Sequence, residues 1–117
     1  MQHLIFVYGT LRENQSNHHF LAGAEFLGMY KTQPEYTLYD LGAYPAVVKG
    51  SDVVFGELYL VDDATLVQLD RLEDVPIEYR REQLETPFGR AWIYLYQDAA
   101  RLDVILSSGD WNQRNKR

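Results

Sequence analysis

The chain has 117 residues, enough for one domain with a single hydrophobic core and no need of covalent or metal staples. Hydrophobic residues make up 46% and aromatic residues 14%, with nine tyrosines, so a packed core is expected rather than a disordered chain. A net charge of −6 argues against general binding to nucleic acid, and the lack of cysteine removes disulfides, thiolate metal sites and thiol nucleophiles.

The first element is the apolar run Leu4-Ile5-Phe6-Val7-Tyr8, which suits a strand covered on both faces. It is too short for an export leader, and nothing approaches the ~20 apolar residues of a membrane span. A cytoplasmic protein without membrane contact is therefore expected. The strand runs into Gly9, and a loop through Thr10, Leu11, Arg12, Glu13 and Asn14 follows. Glycine permits close backbone approach and positive φ, so successive N–H groups of Tyr8-Gly9-Thr10-Leu11 can face one anion, such as the carboxylate of a small ligand. The same residues equally suit a plain tight turn, and the second glycine and Gly-Lys-Ser/Thr ending of a phosphate-binding loop are missing.

Residues 16–22 read as a short helix. Neighbouring His18 and His19 leave such a helix on different faces and, with His3, make no metal-ligand spacing. No metal site is expected from them. Strands follow at about 25–32, 36–40, 45–48, 53–61, 78–85 and 90–97, and Pro34, Pro45, Pro76 and Pro87 stand near element boundaries. Alternation over 53–61 puts Val53, Phe55, Glu57, Tyr59 and Val61 on one face, so Glu57 is either an interior acid or an edge residue facing water. Ala91, Ile93 and Leu95 oppose Trp92, Tyr94 and Tyr96. Strands outnumber helices without βαβ alternation. The expected class is α+β: a mixed sheet curled into a small β-barrel with flanking short helices, one domain over residues 1–117. Residues 110–117, with Arg114, Lys116 and Arg117, read as a flexible solvated tail.

The one strong helix starts after Asp62 or Asp63, either of which can cap it, and runs to about Glu73 before Pro76. Leu66, Leu69 and Leu72 form its apolar stripe. On a 3.6-residue period Glu73 lies roughly 40° from the centre of that stripe, whereas Asp70, Arg71 and Asp74 fall roughly 100° or more away, toward solvent. A carboxyl group held against a core gains a raised pKa or a partner, and a raised pKa near neutrality is what general acid/base work needs. Periodicity alone leaves open that Glu73 turns outward in the last turn or pairs with Arg80 or Arg81. Tyr79, six residues on, either brings a hydroxyl near Glu73 or packs in the core.

In order along the chain, Ile5-Phe6-Val7-Tyr8-Gly9-Thr10-Leu11-Arg12, Pro45-Ala46-Val47-Val48, Gly56-Glu57-Leu58-Tyr59, Leu69-Asp70-Arg71-Leu72-Glu73 with Pro76, Tyr79 and Arg81, and Ala91-Trp92-Ile93-Tyr94 make a composite pattern. It resembles the gamma-glutamylcyclotransferase-like family over about residues 4–97, and Ser108-Gly109-Asp110-Trp111 is similar to the bacterial YtfP-like branch. The resemblance implies a cofactor-free enzyme that cyclises a small gamma-glutamyl amine or gamma-glutamyl amino acid to 5-oxoproline and frees the amine. By the same resemblance, Glu73 is the catalytic acid/base. The backbone of Tyr8, Gly9, Thr10 and Leu11 binds the amino-acid end of the glutamyl group, and Tyr79 helps to line the pocket. The competing expectation is a module of the same fold that binds a small carboxylate without converting it.

Overall fold

The computed structural model describes residues 1–114. Strand β1 (Gln2–Val7) is apolar at successive positions because both of its faces are covered. It pairs antiparallel with β5 (Phe55–Asp62) on one side and runs parallel to β7 (Gly89–Tyr96) on the other. Strand β2 (Glu25–Lys31) extends the sheet beyond β5, and β6 (Tyr79–Thr86) extends it beyond β7, giving the order β2-β5-β1-β7-β6. Strands β3 (Tyr36–Asp40) and β4 (Pro45–Lys49) form a hairpin, and the two-residue strand β8 (Val104–Ile105) pairs with β3 in a second sheet.

Period-2 alternation of the central strands divides the core into two layers. Leu4 and Phe6 of β1 join Leu58, Ile93 and Leu95, and meet Leu38 and Val47 of the smaller sheet. Ile5 and Val7 face the other way, with Tyr59, Tyr94 and Tyr96, against Leu66 and Leu69 of helix α1 (Asp63–Leu72). Asp62 caps that helix by accepting the Thr65 N–H at 2.8 Å. The helix gives way at Glu73, and Asp74 takes a left-handed φ of 52°.

Three expectations need correction. The barrel is not closed: the strands form two hydrogen-bonded sheets, and β4 packs near β7 without joining its ladder. Alternating side chains fit stacked sheets and barrels alike, so the sequence pattern does not decide between them. Asp70, expected toward solvent, is half-buried, accepts the Tyr94 hydroxyl at 2.8 Å and lies 3.0 Å from Arg81 Nε. A neighbouring strand fills that side of the helix, and two partners offset the burial of its charge. Of the tail expected over 110–117, residues 110–114 are packed: Trp111 is wholly buried and the Arg114 guanidinium sits 3.9 Å over its ring. Residues 115–117, including Lys116 and Arg117, lie outside the described residues. Among the described residues no helix is long and apolar enough to cross a membrane.

Candidate active site

The end of β1 and the end of α1 meet at one cavity. Tyr8, Gly9, Thr10, Leu11, Glu73 and Tyr79, drawn from three separate stretches of chain, all line it, and it is a small cavity of about 20 Å³ that opens to solvent. Tyr44, Pro45 and Tyr94 complete the wall. A second hollow of about 170 Å³ is also lined by Thr10, Tyr44, Glu73 and Tyr79, together with Asn17, Leu72 and Glu78.

Glycine is required at position 9 for space. A methyl group there would lie 2.3 Å from Cγ and 2.7 Å from Cδ of Pro45, so only a bare backbone passes under that ring. Positive φ, the other property the sequence suggests, is absent at Gly9. Beyond it the carbonyls are engaged: Gly9 O accepts the Arg12 N–H at 3.0 Å, Thr10 O accepts the Asn17 N–H at 2.8 Å, and His18 Nδ1 lies 2.9 Å from Leu11 O. Among the described residues no protein acceptor takes the N–H groups of Gly9, Thr10 or Leu11. Consecutive unclaimed amides at a cavity wall form a partial positive charge suited to a carboxylate.

The loop is anchored from below by a buried ion network. Arg12, 2% exposed, donates from Nε to Glu57 at 3.1 Å and from Nη1 to Asp110 at 2.7 Å. Glu57 also accepts the Glu13 N–H and the Tyr59 hydroxyl, both at 2.9 Å. Glu57 is thus the interior acid of the two alternatives, wholly engaged in holding the loop and not part of the cavity lining.

Glu73 faces the cavity without an ion pair among the described residues. The two arginines that offered themselves as partners are taken elsewhere, Arg81 beside Asp70 and Arg80 with Glu82 at 2.6 Å. Burial pushes the Glu73 carboxyl up to about 7, and the negative charge of Glu78 adds to the effect. That value suits a group that takes up and gives back a proton near neutrality.

The tyrosines act through their rings. Tyr79 donates its hydroxyl to Pro45 O and Tyr8 donates to Tyr94 O, each at 2.7 Å, while the Tyr94 hydroxyl goes to Asp70. Burial is the main cause that holds all three phenols well above their usual range, with nearby carboxylates adding to it, so they stay neutral. Tyr79 therefore neighbours Glu73 in the wall, but its hydroxyl proton is committed to the backbone. Sequence reasoning missed Tyr44, Pro45, Tyr94, Asn17 and Glu78 as lining residues. The alternation in β7 already sets Tyr94 apart from Ala91 and Ile93, but which face meets the cavity depends on α1 docking there.

Comparison with known proteins gives a consistent result. A model of the family described as gamma-glutamyl cyclotransferase, AIG2-like, matches residues 5–113. A Vibrio cholerae protein, provisionally named a gamma-glutamylcyclotransferase, is 62% identical over 114 residues, 97% of this chain and 99% of its own. The gamma-glutamylcyclotransferase family protein YtfP of Escherichia coli K12 is 45% identical over 112 residues, 96% and 98% of the two chains. The solution structure of ytfP from Escherichia coli superposes with a TM-score of 0.79 at 44% identity, over 97% of this chain and 99% of that one. The crystal structure of an AIG2-like protein (GGACT) from Mus musculus superposes at 0.73 with 28% identity, over 99% of both chains.

Proposed function

We propose, from the premise that this chain belongs to the gamma-glutamyl cyclotransferase, AIG2-like family, that it converts a small gamma-glutamyl amine or gamma-glutamyl amino acid to 5-oxoproline and a free amine. The observation that carries this reading is the position of Glu73: a carboxyl pushed up to about 7 and, among the described residues, without an ion pair, in the same wall as the Gly9, Thr10 and Leu11 amides that no described acceptor takes.

The amides receive the α-carboxylate of the glutamyl group, which orients its α-ammonium toward Glu73. Glu73 takes a proton from that nitrogen, and the freed amine attacks the substrate's own γ-carbonyl carbon. Glu73 then delivers a proton to the departing amine nitrogen. The two protons lost by the α-ammonium end on the leaving amine, and the ring keeps one N–H. The nucleophile belongs to the substrate, which agrees with a chain that offers no cysteine. Ring closure is intramolecular, so holding the glutamyl chain folded removes much of the entropic barrier, and one well-placed proton carrier adds about 10²–10⁴-fold.

The test is release of 5-oxoproline from a panel of gamma-glutamyl amines and dipeptides, wild type against Glu73→Gln. Turnover by wild type that is lost in the variant supports the assignment. Ligand-dependent thermal stabilisation with no product in either protein supports the non-catalytic binding module instead.

A further inference from the structure

An acid/base at Glu73 accounts for the protons but not for the negative charge that builds on the γ-carbonyl oxygen as the amine attacks. The three tyrosine hydroxyls nearest that chemistry are spent: Tyr8 and Tyr79 donate to backbone carbonyls and Tyr94 donates to Asp70. Tyr44 is also committed, to Glu78 at 2.6 Å. One hydroxyl in the wall differs. Thr10 Oγ1 accepts a hydrogen bond from Asn17 Nδ2 at 3.0 Å, and among the described residues no acceptor takes its proton.

The clasp on Thr10 is double. Asn17 holds the Thr10 carbonyl through its backbone N–H at 2.8 Å and the Thr10 hydroxyl through its side chain. A hydroxyl that accepts from a fixed amide has one lone pair occupied and its hydrogen confined to the remaining directions. Accepting that bond also polarises the O–H and makes it a better donor. Thr10 lines both hollows, as Glu73 does.

Building on the proposed reaction, we infer that the Thr10 hydroxyl donates to the γ-carbonyl oxygen as it becomes an oxyanion, and that Asn17 is the positioning residue that aims it. In this step the C–N bond of the ring forms and the carbonyl π pair moves onto oxygen. Thr10 stabilises that charge by hydrogen bonding and keeps its proton. The pair then returns to re-form C=O as the bond to the leaving amine breaks. A preorganised donor of this kind is worth about 10²–10³ in kcat.

The experiment uses steady-state kinetics on the best gamma-glutamyl substrate of the panel, with Thr10→Val, Thr10→Ser, Asn17→Ala and the double variant Thr10→Val/Asn17→Ala. Thr10→Val is expected to lower kcat about 10²–10³-fold with KM within about threefold, because the lost contact exists only in the transition state. Thr10→Ser should recover most of that loss. Asn17→Ala should lower kcat about tenfold in the wild-type background and have little effect in the Thr10→Val background, the non-additivity expected of a residue acting through another. Should Thr10→Val fail to fold, Asn17→Ala still reads the same device, as a fall in kcat at constant KM. A Thr10→Val enzyme of near wild-type kcat, or an Asn17→Ala effect undiminished in the double variant, overturns this inference while leaving the cyclotransferase reading intact. A wild-type protein inert on every gamma-glutamyl compound overturns both.

Discussion

Gly9 passes under the ring of Pro45 so closely that an added methyl would stand 2.3 Å from its Cγ. Pro45 in turn accepts the Tyr79 hydroxyl through its carbonyl, so one residue of β4 touches both the loop and the aromatic wall. Gly9→Ala is therefore expected to displace Pro45 and the loop together. The cost is about 1–3 kcal/mol from overpacking, read as a lower urea midpoint, with loss of ligand-induced stabilisation.

Tyr79→Phe separates ring from hydroxyl. The hydroxyl donates to Pro45 and not to Glu73, so its removal should cost about 1 kcal/mol of stability and leave turnover within a few-fold. Chemical denaturation and kinetics on one substrate check it; a large fall in kcat with unchanged stability would contradict a merely structural hydroxyl.

The raised pKa of Glu73 has two readouts. Between its ordinary value of 4.5 and about 7 the folded state binds more protons than the unfolded one, so this residue makes stability fall as pH rises through that window. Glu73→Gln should flatten the decline in urea titrations taken across it. In activity, kcat/KM should climb with pH through about 7 as the carboxyl becomes a base. Glu78→Gln removes a neighbouring negative charge and should move that limb to lower pH.

Arg12 is a structural test of the loop. Replacing it with Met leaves Glu57 and Asp110 without their shared cation, and breaking such a buried arrangement costs about 3–5 kcal/mol. Equilibrium unfolding should show that loss, and hydrogen exchange at residues 9–14 should accelerate more than in the strands.

Much of this molecule is readable from local pattern. The apolar run of β1, the alternation of β5 and β7 and the capped helix after Asp62 are each dictated by neighbours within a few residues. Helical phase also sets Glu73 apart from Asp74 and Arg71, but it leaves open an outward turn or an arginine partner, and only the packed strands decide against both. Phase fails at Asp70, where the same geometry that predicts solvent meets Tyr94 and Arg81 arriving from β7 and β6. Arg12, Glu57 and Asp110 carry no mutual signal in the sequence, because nothing local relates a loop, a mid-strand acid and the end of the chain. Trp111 is hidden by its polar surroundings, Asp110 before it and Asn112 after.

The contact between Arg12 and Asp110 spans 98 positions of sequence. During synthesis, then, the turn after β1 waits for 98 further positions before the Asp110 half of its anchor exists. Closing so wide a span carries an entropic cost that local hairpins avoid. A protein shortened ahead of Asp110 would lose half of that turn's mooring and the buried Trp111 with it.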